Sequence, residues 1–133
     1  MCCALLLAAT GAVGQSTDCA LGDYRPSVRP DAPGTPTVIN IGILIADLIA
    51  INDIDQSVVL DALVTTEWTD RRLEGMAGCR FPEGALWTPR LQLVNAGNMV
   101  PRKPPELVVQ EGGVVASTVR YSGSILSLSL IHI

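Results

Sequence analysis

Residues 57–73 read SVVLDALVTTEWTDRRL, and their pattern decides the fold class. Val58, Leu60, Ala62, Val64 and Trp68 fall on one side of a two-residue period, and Ser57, Asp61, Thr65 and Glu67 on the other. That is the signature of a β-strand with one buried face. Val59 and Leu63 interrupt the polar side, as suits a surface that meets a partner. Asp70 and Arg72 follow, close enough for a carboxylate and a guanidinium to pair. Upstream, Ile39, Ile41, Ile43 and Ile45 alternate within Val38–Ile51. They predict another strand that buries its isoleucine face, ended by a turn at Asn52-Asp53. Asp47 breaks that face. Either strict alternation buries it, so that desolvation raises its pKa and makes it a proton sensor, or a β-bulge near Ala46 turns it to solvent.

Downstream, residues 70–84 read as a charged loop. Ala85–Asn95 carries Trp87, Leu91 and Leu93, with Pro89 marking a bend or a sheet edge. After a loop at 101–105, Leu107-Val108-Val109 and Val114–Tyr121 flank Glu111-Gly112-Gly113, which is a hairpin signal. Five or six strands with turns at this spacing, and no helix beyond the first residues, predict an all-β, immunoglobulin-like sandwich.

The ends read differently. Ala4–Val13 is a short apolar run followed by Ala12-Val13-Gly14, a small-x-small cleavage pattern. It makes residues 1–14 a signal peptide, although no Lys or Arg precedes the run, and it is too short to span a bilayer. Residues 15–36, with Pro26, Pro30, Pro33 and Pro36, read as a flexible leader. The domain then covers 37–127. Residues 128–133, LSLIHI, read either as the translation of a transposase-type sequencing adaptor or as an apolar strand. Cleavage leaves Cys19 and Cys79, and the place of Cys19 in the leader weighs against a bond between them.

A chain of 133 residues suits one domain, and 48% hydrophobic residues exclude general disorder. A net charge of −4 argues against nucleic acid as a partner. From Val38 to Asp70 there are six acids and no base, while from Arg71 onward seven bases outnumber four acids. In a ring of subunits, such a split offers opposite charge on two faces. An enzyme is not expected. The one histidine, His132, lies in the adaptor-like end, and no phosphate loop or dinucleotide fingerprint is present. Asp53 and Asp55 have no third ligand nearby, so neither a metal nor a cofactor is expected.

Two segments carry the strongest signal: Glu67-Trp68-Thr69-Asp70-Arg71-Arg72-Leu73, and Phe81-Pro82-Glu83-Gly84-Ala85-Leu86-Trp87-Thr88-Pro89 followed by Asn95. In order and spacing they resemble the extracellular domain of the pentameric ligand-gated ion channels, the Cys-loop receptor superfamily, and its bacterial proton-gated type in particular. That family carries a W-x-D-x-R-L-like segment and then an (I/L)-W-x-P segment ending in Asn. The resemblance covers about Thr37–Ser127. It implies a fragment of a channel subunit whose ligand-binding domain is incomplete at the C-terminus. It implies identical or related subunits as partners, a small-molecule or proton agonist, and export to the inner membrane with this domain on the periplasmic side. The pore and the membrane contact would come from a missing C-terminal region.

By the same resemblance, Leu63 and Thr65 on one strand and Ala116 and Thr118 on another face the agonist from one subunit. Val94 faces it from the neighbour. Asp53 sits where the family couples binding to the pore, and Asp47 near an acid of the proton-gated type. Amine receptors place aromatics at the Leu63 and Val94 positions, so a cation–π box is not expected here. The disulfide loop that names the superfamily would lie downstream. Trp68, Asp70, Arg72, Trp87, Pro89 and Asn95 form the structural motif, and the tryptophans read as apolar plugs ahead of ligand contacts. The alternative to the channel is a secreted, soluble β-sandwich binding module.

Overall fold

The computed structural model describes residues 18–126. The expected signal peptide, the first residues of the leader and the adaptor-like end with His132 lie outside the described residues. The fold is all-β. Six strands, β1 (Asn40–Asn52), β2 (Ser57–Thr69), β3 (Arg80–Pro82), β4 (Val100–Pro101), β5 (Glu106–Val109) and β6 (Val114–Leu126), join in one antiparallel sheet. Its order is β1-β2-β6-β5-β3, with β4 paired to β6 off that path.

The period-two reading of β2 holds where it matters most. Leu60, Ala62 and Trp68 are buried, while Val58 and Val64 are half-buried. The core cluster gathers where Trp68 lies opposite Val115 and takes in Leu73, Phe81, Leu86, Leu107 and Val109. Asp61, expected on the polar side, is buried with 5% of its surface exposed. Arginines from later in the chain reach over it.

The isoleucine face is buried only at its start, where Ile39 is half-buried against the core cluster; within β1 the expectation is corrected. All thirteen residues of β1 are exposed. Register places Ile43 opposite Val64, Ile45 opposite Ala62 and Leu48 opposite Leu60. The face points to the same side of the sheet as the core. The core cluster sits at the far end, however, and β1 is an edge strand with β2 as its one neighbour, so nothing among the described residues covers the face. The register also shifts between Ile45 and Asp47, a bulge at Ala46. Asp47 is exposed beside it, so the burial on which its proton-sensing role rested is absent.

Three further corrections concern loops. Residues 70–84 hold a 3₁₀ turn at Arg71–Leu73 and the short β3, which pairs with β5 and buries Phe81. Residues 85–95 form no strand, and Pro89 lies in irregular chain rather than at a sheet edge. Residues 18–36 contain no strand or helix, but they are fastened to the domain. Cys19 is bonded to Cys79, against expectation, with Cα atoms 5.7 Å apart. Hydrogen-bonded turns at Leu21–Tyr24 and Arg25–Val28 fold the segment back onto the sheet and bring Cys19 within bridging reach.

Candidate functional site

The antiparallel register of β2 and β6 builds the candidate site. Thr65 lies directly opposite Thr118, Leu63 opposite Arg120 and Glu67 opposite Ala116. Residues paired this way share a face, so Leu63, Thr65, Ala116 and Thr118 form one strip across two neighbouring strands. Thr65 and Thr118 are exposed, and Leu63 and Ala116 are half-buried. Beside the strip, Thr65 Oγ1 donates to the Gly42 carbonyl of β1 at 3.3 Å. A Cβ at Gly42 would lie 2.5 Å from that oxygen, so the glycine leaves room for the threonine hydroxyl.

Val94 is not part of this strip. It sits in a turn, 92% exposed, and the adjoining Ala96 bridges to Ile125 at the far end of β6. Seven residues separate Ile125 from Thr118, or roughly 23 Å along a strand. Asn95 anchors the same turn, its carbonyl accepting from the Leu126 amide at 2.9 Å. The strip and Val94 therefore cannot line one small pocket within a single chain.

An ion cluster borders the strip. Arg120 donates to Asp61 at 2.7 Å, Arg102 approaches the same carboxylate at 3.7 Å, and Ser122 Oγ donates to it. The Ser122 hydroxyl first, then Arg120, hold the Asp61 carboxyl below the usual carboxylate range. Sequence reasoning missed Arg120, Arg102 and Ser122. The available signal was Asp61 itself, a lone carboxylate between Leu60 and Ala62, which needs a cation once buried. In this cluster Asp61 from the acidic half pairs with two arginines from the basic half, so these charges offset one another within the subunit.

The β1–β2 turn carries the coupling candidate. Asn52 Oδ1 accepts from the amides of Ile54 and Asp55, and its amide donates to the Asp55 carboxylate at 2.7 Å. Asp55 is thereby used locally. Asp53 is exposed, and its carboxylate has no partner among the described residues. Ile54 stands beside it with 93% of its surface exposed. This residue was missed as well, although an isoleucine between two aspartates of a polar turn is itself a signal.

The motif residues support the site from behind. Trp68 and Trp87 meet edge to face, with ring centroids 6.0 Å apart. They pack with the core and face away from the strip, as plugs do. Asp70 is fully buried. Arg72 grips it with Nε at 2.8 Å and a terminal nitrogen at 2.7 Å, and Tyr24 donates to it at 2.7 Å. Burial works to raise the Asp70 pKa, but the hydrogen bonds from Arg72 and Tyr24 outweigh it and hold the carboxyl low. Burial, above all, pushes the Tyr24 hydroxyl up to about 12.

Residues 14–126 match the family described as neurotransmitter-gated ion-channel ligand binding domain. The chain is 32% identical over 92 residues to the acetylcholine receptor subunit beta of Rattus norvegicus, covering 63% of this chain and 18% of that protein. It is 25% identical over 112 residues to the proton-gated ion channel of Gloeobacter violaceus, covering 80% of this chain and 31% of that protein. The neuronal acetylcholine receptor subunit beta-2 of Carassius auratus is 32% identical over 80 residues. The chain thus spans between about a fifth and a third of the length of these curated relatives.

Proposed function

We propose, from the premise that this chain belongs to the neurotransmitter-gated ion-channel ligand binding domain family, that it serves as the agonist-binding part of a pentameric channel subunit. The subunit is exported and held in the inner membrane, with this domain on the periplasmic side. Agonist sits between subunits. One subunit offers the strip of Leu63, Thr65, Ala116 and Thr118, and its neighbour offers Val94. Binding shifts a closed–open equilibrium, and the β1–β2 turn with Asp53 and Ile54 passes the shift toward the pore.

The observation that carries this reading is the Thr65–Thr118 pairing, which gathers four of the five candidates on one face, while Val94 sits in the turn that bridges to Ile125, five residues along β6 from the partner of Leu63 and seven from Thr118. A site split in this way is completed by a second copy. With an aliphatic and hydroxyl lining, and neither an aromatic ring nor a titratable side chain among these residues, the agonist is a small polar molecule rather than a quaternary amine or a proton.

The test uses the complete gene product carrying Thr118→Cys and Val94→Cys together, treated with a short bis-maleimide. A ladder of cross-linked species ending at five subunits is expected. Cross-linking confined to single subunits would overturn the shared site.

A further inference from the structure

The amino-terminal segment is fastened to the sheet at two points. The first is covalent, from Cys19 to Cys79, across 60 residues of sequence. The second is polar. Arg72 donates to the carbonyls of Arg25 and Val28, at 3.3 and 2.9 Å, and lies over the Tyr24 ring at 4.3 Å. Between the two, Leu21 packs on the core cluster. The two cysteines sit in different settings. Cys79 is 2% exposed inside the core, whereas Cys19 is exposed.

We propose that Cys19–Cys79 is a thiol–disulfide exchange site, a latch on this strap that a dithiol reductant opens by attack at Cys19. Exchange needs a thiolate to approach one sulfur and the other sulfur to leave. Cys19 offers the approach, and buried Cys79 does not. The attacking thiolate bonds to the Cys19 sulfur, the Cys19–Cys79 bond breaks, and Cys79 leaves as a thiolate that takes up a proton. The second thiol of the reagent then attacks the first, releases Cys19 as a thiol and closes the reagent's own disulfide. Two electrons pass to the protein, and the dithiol is oxidised.

Opening is local. The Arg72 contacts retain residues 24–28, so the freed part is 18–23, and Leu21 leaves the core. The Tyr24 hydroxyl, which accepts from the Trp87 amide at 3.0 Å, stays on the retained side. The latch does not depend on the channel reading, and its tests do not measure channel activity.

Two measurements on the full oxidised chain decide the matter. Under limiting glutathione, the mixed disulfide is expected on Cys19 with Cys79 as the thiol. An adduct on Cys79, or equal amounts on both, would overturn the direction of attack. Complete reduction with dithiothreitol, checked by alkylation of Cys19 and Cys79, is expected to speed amide exchange in residues 18–23 by about tenfold or more, while 24–28 and β2 hold. Unchanged exchange in 18–23 would overturn the latch. General loss of protection across β2 and β6 would overturn it too, since the bond would then be a global staple. Cys19→Ser, which keeps Cys79 in the core, is expected to reproduce the reduced pattern without reductant, and a profile like that of the oxidised chain counts against the proposal.

Discussion

Asp70 has no solvent exposure, yet four hydrogen bonds reach its two oxygens, from Tyr24 and from the backbone and guanidinium of Arg72. Removing the charge from such a group leaves its cation without a counterpart. Asp70→Asn is expected to cost about 2–3 kcal/mol. That is below the about 3–5 kcal/mol of a fully buried pair, because the Arg72 side chain stays 30% exposed. The pH dependence has a definite sign. The folded pKa lies below the unfolded value of about 3.9, so this stability is present above that pH and fades as pH falls through the folded value. Acid titration of unfolding should therefore show a flatter acid limb in Asp70→Asn than in wild type. Trp68 is 3% exposed and Trp87 half-buried. Trp68→Ala should lose about 3–5 kcal/mol in denaturant melts, and Trp87→Ala less.

The hairpin between β5 and β6 turns through Glu111–Gly113, and both glycines have positive φ, 72° and 74°. Their surroundings differ. Space around Gly112 is open, whereas a Cβ at Gly113 would press on the Asp70 carbonyl, which is backbone. The Gly113 carbonyl also accepts from the Asp70 amide at 2.8 Å, so this turn is pinned to the root of the Asp70–Arg72 pair. Gly112→Ala is expected to cost about 1 kcal/mol for the left-handed backbone alone. Gly113→Ala adds the clash and should cost at least twice as much, about 2 kcal/mol or more. Equal melting shifts for the two variants would remove the packing argument. At the same scale, β1 is a long edge strand interrupted at Ala46 and again before Ala50. Bulges of this kind twist an edge and hinder pairing with another strand.

Across the whole molecule, burial is uneven. The Trp68 end has a closed core, while Ile41, Ile43, Ile45, Leu48 and Ile51 leave half or more of their surface open on the same side of the sheet. A contiguous exposed apolar face of this kind favours association. Expressed by itself, the span 15–127 is expected to associate, with a sedimentation profile that shifts with concentration. A monodisperse monomer with a sharp cooperative melt would contradict this.

Local rules account for the features legible in the chain. The two-residue period placed β1 and β2, the glycines placed the hairpin, and a spacing of two placed Asp70 against Arg72. The Trp68 and Trp87 segments, read together, carried the family. The remaining features depend on partners that lie far away in the chain. Tyr24 reaches Asp70 across 46 residues, and Ser122 reaches Asp61 across 61. No window of sequence contains both members of such a pair, so the anchored leader was not legible, and Asp61 signalled a need for a cation without showing which arginine would meet it. The isoleucines of β1 show the same boundary: alternation told which side they face, but their burial depends on what lies opposite, and that is a property of the assembled fold.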